Sequence, residues 1–368
     1  DYMRKYVGAH EEVIAFCRDR LRGLWGFGFD ALSALEGARY DMPGTEHLDY
    51  SDAPTAREEF DEPYIFHFPD GNASITRALI RQLVPTAVPG EQSMEGLVAA
   101  RVDYEQLDRR SNAARVRLSS TAIDVRHVEG KSAVDVTYVH NGSTYRVRGK
   151  HAILACYNHM VPHVCPDLPK VQADAINIAE KIPLAYINIV LRNSKALENL
   201  GYHAFYVPQT ELMHSFGLDF PVSLGDYAFA RTSADPVIVH GSYAATAPDQ
   251  GLTERQQHIM GRQRMYEMTY QDFETLILRQ MSGALGGGGF DAERDIAAIT
   301  VNRWPHGYAY EYNELYDPPE WTQENGPHRI GAAQVGRISI ANSDAEAFAY
   351  ANGAIDAAYR AVNEQLGT

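Results

Sequence analysis

Hydrophobic and polar residues alternate between residues 115 and 156, and this alternation restricts the fold more than any other feature of the sequence. It predicts β-strands over residues 121–128, 133–140 and 143–148. Asn141-Gly142 separates the last two strands, and Asn-Gly is a strong signal for a two-residue hairpin turn. We therefore predict an antiparallel β-meander, followed at 152–156 by a short apolar strand that is buried on both faces.

Helical and strand patterns are interleaved along the rest of the chain. Helices are predicted over residues 8–24, near 31–35, and at 171–182, 254–281 and 345–365, and strands at 184–191, 237–243, 296–303 and 337–341. Residues 64–83 are typical of a strand, a glycine turn and a helix with the apolar stripe Ile75, Leu79, Ile80 and Leu83. This interleaving indicates an α/β or α+β fold without internal repeats.

Composition excludes several classes of function. The chain has 368 residues, of which 45% are hydrophobic and 22% charged, as in globular proteins of one large or two smaller domains. Its 33 basic and 48 acidic residues give a net charge of -15. We expect no nucleic-acid partner, because phosphate contacts need a basic surface, whereas cationic ligands are attracted. The sequence contains no apolar run of about 18 residues, so no membrane span is predicted.

Metal-binding motifs are not indicated either. The three cysteines form no C-x-x-C pair, so neither a zinc knuckle nor a c-type haem attachment is expected. His159 and His163 have the spacing of two metal ligands on one helix, but Pro162 lies between them. We therefore predict a loop with two histidines and no metal site.

Asn342, Ser343 and Asp344 follow the predicted strand at 337–341 and precede the predicted helix at 345–365. All three residue types are favoured as helix N-caps. The free N–H groups and the positive dipole end of such a helix favour a phosphate. The pattern indicates either an anion site or an ordinary capped helix that packs on a sheet.

Residues 308–317 contain four tyrosines and three carboxylates. Aromatic ring faces and carboxylates together can hold an organic cation. A surface loop with a solvated acidic face has the same composition, and the residues alone do not decide between the two.

Four segments occur in an order that resembles a known family: YIFHFPDGNASITR (64–77), ILACYNHM (153–160), RDIAAITVNRWPHGYAY (294–310) and GRISIANSDA (336–345). They are similar to segments of the bacterial spermidine dehydrogenases, within the flavin-containing amine oxidase family, and the resemblance extends over residues 1–365. It implies a two-domain α/β (α+β) fold, in which the β-meander belongs to an FAD domain and a mixed sheet to a substrate domain.

The family opens with a Rossmann βαβ unit that carries G-x-G-x-x-G and binds FAD, and these residues contain no such segment. The resemblance implies that a second chain supplies this Rossmann half; a cleaved segment and a flavin-free remnant are the alternatives. It divides the chain into helical and substrate-side segments (1–114), the β-meander and strand of the FAD domain (115–156), the substrate domain (157–300), and a pocket strand with the C-terminal strand and helix (301–368).

The resemblance also assigns residues to the cofactor. FAD is expected to contact Gly71, Asn72, Thr121, Ala122, Gly336, Asn342, Ser343, Asp344, Ala354 and Ile355. Non-covalent binding is expected, since no cysteine is expected near the segments that face the flavin. A b-type haem stays open as a further cofactor, because single histidine ligands leave no spacing signature.

Tyr350 is expected to stand in front of the flavin ring and to form the catalytic pocket with Tyr308 and Tyr310. From spacing and charge we add Glu311, Glu314 and His306 as substrate-binding residues, with the carboxylates holding the distal ammonium of a polyamine.

The activity implied by the resemblance is oxidative cleavage of a polyamine such as spermidine. Hydride passes from the carbon next to a secondary amine to flavin N5, and the imine is then hydrolysed. The electron acceptor is not indicated. The alternative is a non-catalytic amine-binding or scaffold subunit descended from such an enzyme. A periplasmic location follows from the resemblance, with the cytoplasm as the open alternative.

Overall fold

A computed structural model describes residues 1–48, 68–220 and 222–367 as a mixed helix and sheet fold. Its helices are α1 (Glu11–Cys17), α2 (Arg22–Trp25), α3 (Ala34–Arg39), α4 (Ala73–Leu83), α5 (Met94–Ala99), α6 (Val161–Val164), α7 (Lys170–Ile176), α8 (Lys195–Leu200), α9 (Glu254–Glu267), α10 (Tyr270–Leu285), α11 (Ala292–Asp295), α12 (Pro327–Gly331) and α13 (Ala351–Leu366). Its strands are β1 (Ser120–His127), β2 (Val134–His140), β3 (Ser143–Gly149), β4 (Ala152–Leu154), β5 (Leu184–Leu191), β6 (Ala204–Tyr206), β7 (Ser215–Leu218), β8 (Val237–Ala244), β9 (Ile296–Trp304) and β10 (Ile338–Ile340). None of these helices has the length and apolar character needed to cross a lipid bilayer.

The predicted β-meander is confirmed. Strands β1, β2 and β3 pair antiparallel in chain order. Asn141 and Gly142 both adopt positive φ, 48° and 74°, which is the backbone of a tight I′ hairpin turn. Strand β1 bulges between Ala122 and Asp124.

A short parallel pair lies beside the β-meander. Strand β10 pairs parallel with β4, so that Ile338 lies opposite Ala152 and Ile340 opposite Leu154. Both isoleucines are 1% exposed and share a core with Val125 and Val134 of the β-meander. The expectation that residues 152–156 are buried on both faces is wrong, because Ile153 is 41% exposed.

The largest core lies against a five-stranded antiparallel sheet of order β6-β7-β8-β5-β9. Strand β5 is an inner strand between β8 and β9, and its side chains alternate between buried and partly buried positions. Helix α10 covers the sheet with a stripe of buried residues, namely Phe273, Ile277, Met281 and Leu285. The predicted strands at 184–191, 237–243 and 296–303 are confirmed as β5, β8 and β9.

Two long predicted helices are divided in the structure. Residues 254–281 form α9 and α10, because Met268 is extended and Thr269 caps α10 through a capping box with Asp272. Residues 8–24 form α1 and α2 with turns between them, and Gly26 ends α2 at φ 75°. Arg22 in α2 donates to the carbonyl of Ala244 at 2.9 Å, which fixes this helix against β8.

The predicted helix of residues 64–83 is confirmed as α4, but of its apolar stripe only Ile80 packs against a core, and the other three residues face outward. Ile75, Leu79 and Leu83 are 38%, 59% and 54% exposed, whereas Ser74 and Arg81 are buried. Arg81 is held by the backbone carbonyls of Val88, Pro89, Glu91 and Gly96, which accounts for its burial. The strand predicted at 64–68 falls outside the described residues except for residue 68.

Candidate functional site

A cavity of about 270 Å³ lies where six distant parts of the chain meet. Its walls come from the α2 region, from the residue after α3, from the segment before β5, from α9, from residues 308–311 and from residues 349–350: Leu24, Trp25, Phe27, Tyr40, Ile182, Glu254, His258, Tyr308, Ala309, Tyr310, Glu311, Ala349 and Tyr350. Most of these side chains are aromatic or aliphatic, and few are polar. Such a lining is typical of a small-molecule site.

Tyr308 and Tyr310 both line this cavity. The Tyr310 hydroxyl donates to Asp317 Oδ2 at 2.5 Å, and the Arg255 guanidinium lies 4.8 Å from the centre of its ring. The Tyr308 hydroxyl lies 2.5 Å from that of Tyr186. Burial raises the pKa of both Tyr308 and Tyr310 well above the usual value. Their hydroxyls are therefore neutral at physiological pH, and the rings act as walls.

Tyr350 lies at the same cavity, at the N-cap of α13. Its side chain is 52% exposed, and its ring centroid lies 5.0 Å from that of Phe348. The structure thus brings together the three tyrosines that were expected to form one pocket. Helix α13 has no side-chain cap at this end, so the cavity lies next to an uncapped helix N-terminus.

Glu311 and Glu314 lie in different places, and only Glu311 lines the cavity. Glu311 lines the cavity and accepts from the Ala349 N–H at 2.9 Å, and burial raises its pKa. Glu314 does not line it and is bound to Arg39 at 2.7 Å and to Ser33 at 3.1 Å. The expectation of two neighbouring pocket carboxylates is therefore wrong.

The reason is a tight turn in the intervening segment. The N–H groups of Tyr316 and Asp317 both donate to the carbonyl of Asn313, so the chain reverses at Glu314.

His306 also lies away from the cavity lining. Its ring packs on Tyr157 at 4.9 Å between centroids, and its Nδ1 is 3.1 Å from the Tyr157 hydroxyl. His159 packs on the same tyrosine at 5.0 Å, and Lys181 Nζ lies 5.1 Å from its ring centre. The predicted pocket residue His306 therefore belongs to a separate aromatic cluster around Tyr157.

The turn at 342–344 differs from its prediction. Asn342 caps a single 3₁₀ turn, Ser343–Glu346, rather than a long helix, because Ala347 then adopts φ 47° and the chain breaks before α13 begins. Asp344 is 4% exposed. Its carboxylate accepts from Lys181 Nζ at 2.5 Å and from the Asn158 N–H at 3.1 Å.

Cys156 lies at this turn, since its carbonyl accepts from Asn342 Nδ2 at 2.5 Å. The expectation that no cysteine lies near the flavin-facing segments is wrong for this turn. The two residues meet because β4 and β10 are parallel neighbours, so their ends lie side by side. Burial raises the pKa of the Cys156 thiol, which lowers its thiolate fraction.

The remaining residues expected at FAD lie in four separate segments of the chain. Gly71, with φ 68°, and Asn72 form the turn before α4. Thr121 and Ala122 are exposed on β1, and Gly336 adopts φ 57° just before β10. Ala354 and Ile355 lie in the first turn of α13, where Ile355 is 47% exposed.

Sequence reasoning missed two polar residues of the cavity, Glu254 and His258. They are one turn apart on α9, and each is 1% exposed. Burial raises the pKa of Glu254 to about 7 and lowers that of His258 to about 4. A signal was present: Glu254, Gln257, His258, Gly261 and Met265 have the spacing of one helix face, and all are buried.

Of the comparisons with known proteins, only the comparison with solved structures gives matches. No protein-family model matches the sequence, and no curated protein matches it. The chain is similar to wild-type putrescine oxidase bound to putrescine, with 14% identity and a TM-score of 0.45, over 68% of this chain and 49% of that chain. It is also similar to cyclohexylamine oxidase from Brevibacterium oxydans IH-35A, with 12% identity and a TM-score of 0.47, over 92% of this chain and 69% of that chain. The chain thus spans about half the length of the putrescine oxidase.

Proposed function

We propose that this chain is the substrate-binding part of an FAD-dependent amine dehydrogenase that cleaves a polyamine such as spermidine. The observation that carries the proposal is the composition of the cavity: aromatic walls from Tyr308, Tyr310 and Tyr350, one buried carboxyl group, Glu254, and one partly buried carboxyl group, Glu311. Ring faces and carboxylates attract ammonium groups, and the net charge of -15 favours their approach.

The aromatic walls suit the chemistry as well as the binding. An amine must lose its proton before the carbon beside it can be oxidised, and an apolar, enclosed site favours the neutral nitrogen. The neutral hydroxyls of Tyr308 and Tyr310 are tied to Tyr186 and Asp317, so they hold the rings in place and take no proton. Tyr350 at the cavity mouth orients the substrate and limits the entry of water.

The C-terminal segment fits a flavin beside this cavity. The first N–H groups of α13 have no side-chain cap and lie next to Tyr350, so they are oriented to stabilise negative charge. In this proposal FAD, when bound, supplies the two-electron oxidation that turns the amine into an imine, which water hydrolyses to an aldehyde and a smaller amine. Ala354 and Ile355 would face the ring system, and Thr121 and Ala122 the adenine. The turn before β10 and the turn after it would face the ribityl-pyrophosphate, through Gly336, Asn342, Ser343 and Asp344. Gly71 and Asn72 would form a further turn near the flavin.

A second polypeptide carrying the G-x-G-x-x-G unit would complete the FAD site. Parallel sheets are normally several strands wide and covered on both faces, whereas β4 and β10 form a parallel sheet of two strands within the described ranges. Ile153, in strand β4 of this sheet, has an exposed side chain. Strands of a βαβ unit would extend this sheet and bury that side chain.

Helix α13 offers a further contact for the same partner. Its inner face, Gly353, Ala357 and Ala361, is buried, but an apolar stripe on the other side is exposed by 44–70%: Ile355, Tyr359, Val362 and Leu366. An exposed apolar stripe of this length is typical of an interaction surface.

The proposal is tested by purifying the protein with its natural partners. We expect a complex with visible flavin absorbance, and mass spectrometry should find a second chain with a G-x-G-x-x-G segment. A colourless complex that still binds spermidine would instead support a non-catalytic amine-binding subunit.

A further inference from the structure

Glu254 lies in the cavity wall, and one of its two carboxyl oxygens makes no hydrogen bond to the described residues. Its Oε2 accepts from Asn313 Nδ2, whereas Oε1 makes no hydrogen bond to any part of the chain that the structure describes. The side chain is 1% exposed. A buried polar atom without a partner is costly unless a ligand or water supplies the missing hydrogen bond.

The charged groups around Glu254 do not supply it. Arg255 is next in sequence, but its guanidinium binds Asp317 Oδ1 at 2.8 Å and lies over the Tyr310 ring. The other titratable groups nearby are Tyr310 and Asp317, which act on the pKa of Glu254, and His258 and Glu311, which line the same cavity. Among the described residues, no lysine or arginine lines it. A cation that pairs with Glu254 must therefore come with the ligand.

Glu311 differs from Glu254 in its position and its contacts. It accepts from the Ala349 backbone N–H next to Tyr350, whereas Glu254 is the first residue of α9 and lines the cavity from that helix. Two carboxyl groups on separate elements fit a ligand with two separated positive charges. Glu311 already has the Ala349 N–H as a partner, so the free Oε1 of Glu254 is the stronger site for an ammonium.

We propose that Oε1 of Glu254 is the anchoring subsite for a terminal ammonium of a diamine or polyamine in this cavity. The inference rests on the proposed function for its substrate class. Trp25, whose ring lines the cavity, and Tyr310 provide aromatic surface for the alkyl chain and the cation.

Binding at this subsite is coupled to a proton. The pKa of Glu254 is raised to about 7 by burial, with a further contribution from Asp317, so much of the carboxyl is neutral near pH 6. An ammonium favours the carboxylate, so binding near pH 6 should release up to about one proton, and binding near pH 9 about none. Affinity should therefore rise with pH and level off above about pH 8.

Isothermal titration of spermidine into the full 368-residue chain tests the subsite. Repeating the titration near pH 6 in two buffers of different ionisation enthalpy counts the protons released. We expect wild type to release a proton, and Glu254→Gln to bind about 10- to 100-fold more weakly without that release.

Glu314→Gln is the matched control, because it makes the same change in a residue outside the cavity that is bound to Arg39. It should bind spermidine within about two-fold of wild type. If Glu254→Gln does not fold, Glu254→Asp replaces it: the shorter carboxyl should keep the proton release but bind spermidine more weakly than wild type, and unchanged affinity would count against the subsite.

The proposal is overturned if spermidine does not bind the wild type, if it binds without proton release near pH 6, or if Glu254→Gln behaves like Glu314→Gln. These outcomes are separable from the proposed function. An assembled enzyme that oxidises spermidine equally well with Glu254→Gln would refute the subsite alone, and Glu254-dependent binding in a flavin-free complex would refute the oxidation alone.

Discussion

Lys181 Nζ lies 2.5 Å from Asp344 Oδ1, and both side chains are buried, at 6% and 4% exposure. This ion pair joins the segment that leads into the five-stranded sheet to the turn after β10. It therefore couples the substrate side of the molecule to the segment that we expect at the cofactor.

Asp344→Ala should destabilise the protein by about 3–5 kcal/mol, because it leaves the Lys181 ammonium buried without its partner. Adding Lys181→Met should recover part of that loss, since the unpaired charge is removed. Urea denaturation measures both. Asp356→Ala, at an exposed position of α13, is the control and should stay within about 0.5 kcal/mol of wild type. An effect of Asp344→Ala no larger than that of the control would show that the pair is not formed.

Tyr350→Ala should slow reduction of the flavin by spermidine without releasing the cofactor. The ring lies at the cavity mouth, where its loss leaves the substrate poorly oriented, and positioning errors near 1 Å can cost about 100-fold. Stopped-flow reduction under anaerobic conditions, beside bound-FAD absorbance, measures the two effects. Tyr104→Ala, at a tyrosine that is 66% exposed and does not line the cavity, should reduce at the wild-type rate. A wild-type rate for Tyr350→Ala would remove this residue from the site.

Glu254→Gln should increase stability relative to wild type at alkaline pH. The folded-state pKa of Glu254 is about 7, against an ordinary value of 4.5, so the folded protein retains a proton that the unfolded chain releases. Wild-type stability is therefore lost as pH rises from about 4.5 to about 7, by at most about 3 kcal/mol. Glutamine does not titrate, so the stability difference should favour the variant more at pH 8 than at pH 5. Denaturation at the two pH values giving the same difference would contradict the burial of this carboxyl.

Val362→Glu should weaken assembly with the proposed partner chain, because it places a charge in the exposed apolar stripe of α13. Analytical ultracentrifugation of the assembled complex measures the change, which we expect to exceed ten-fold in Kd. Asn363→Glu adds the same charge at the neighbouring exposed position outside the stripe and should have little effect. Equal weakening by the two variants would argue against the stripe as the contact.

The strands could be predicted because their evidence is local. Alternation in β5 and the Asn141-Gly142 turn depend on neighbouring residues, and both are found in the structure. The interruption after Glu267 also had a local signal, since Thr269 and Asp272 form a capping box, but continuous helical periodicity concealed it. The left-handed residue Ala347 has no such signal, because alanine does not indicate positive φ.

The candidate site could be predicted in part for the same reason. Tyr308, Tyr310 and Glu311 are close in sequence, so their common location followed from composition. Glu254 and His258 are distant from them, and they are buried because α9 packs against the α2 region and residues 308–313. The position of Glu314 depends on the Asn313 turn, which the sequence pattern did not show.

The most direct test is anaerobic addition of spermidine to the assembled complex that contains this chain, followed by its visible spectrum. We predict that spermidine reduces a bound flavin and that an aldehyde and a smaller amine appear in equal amounts. A flavin spectrum unchanged by prolonged incubation with spermidine would contradict the assignment of this chain to an amine dehydrogenase.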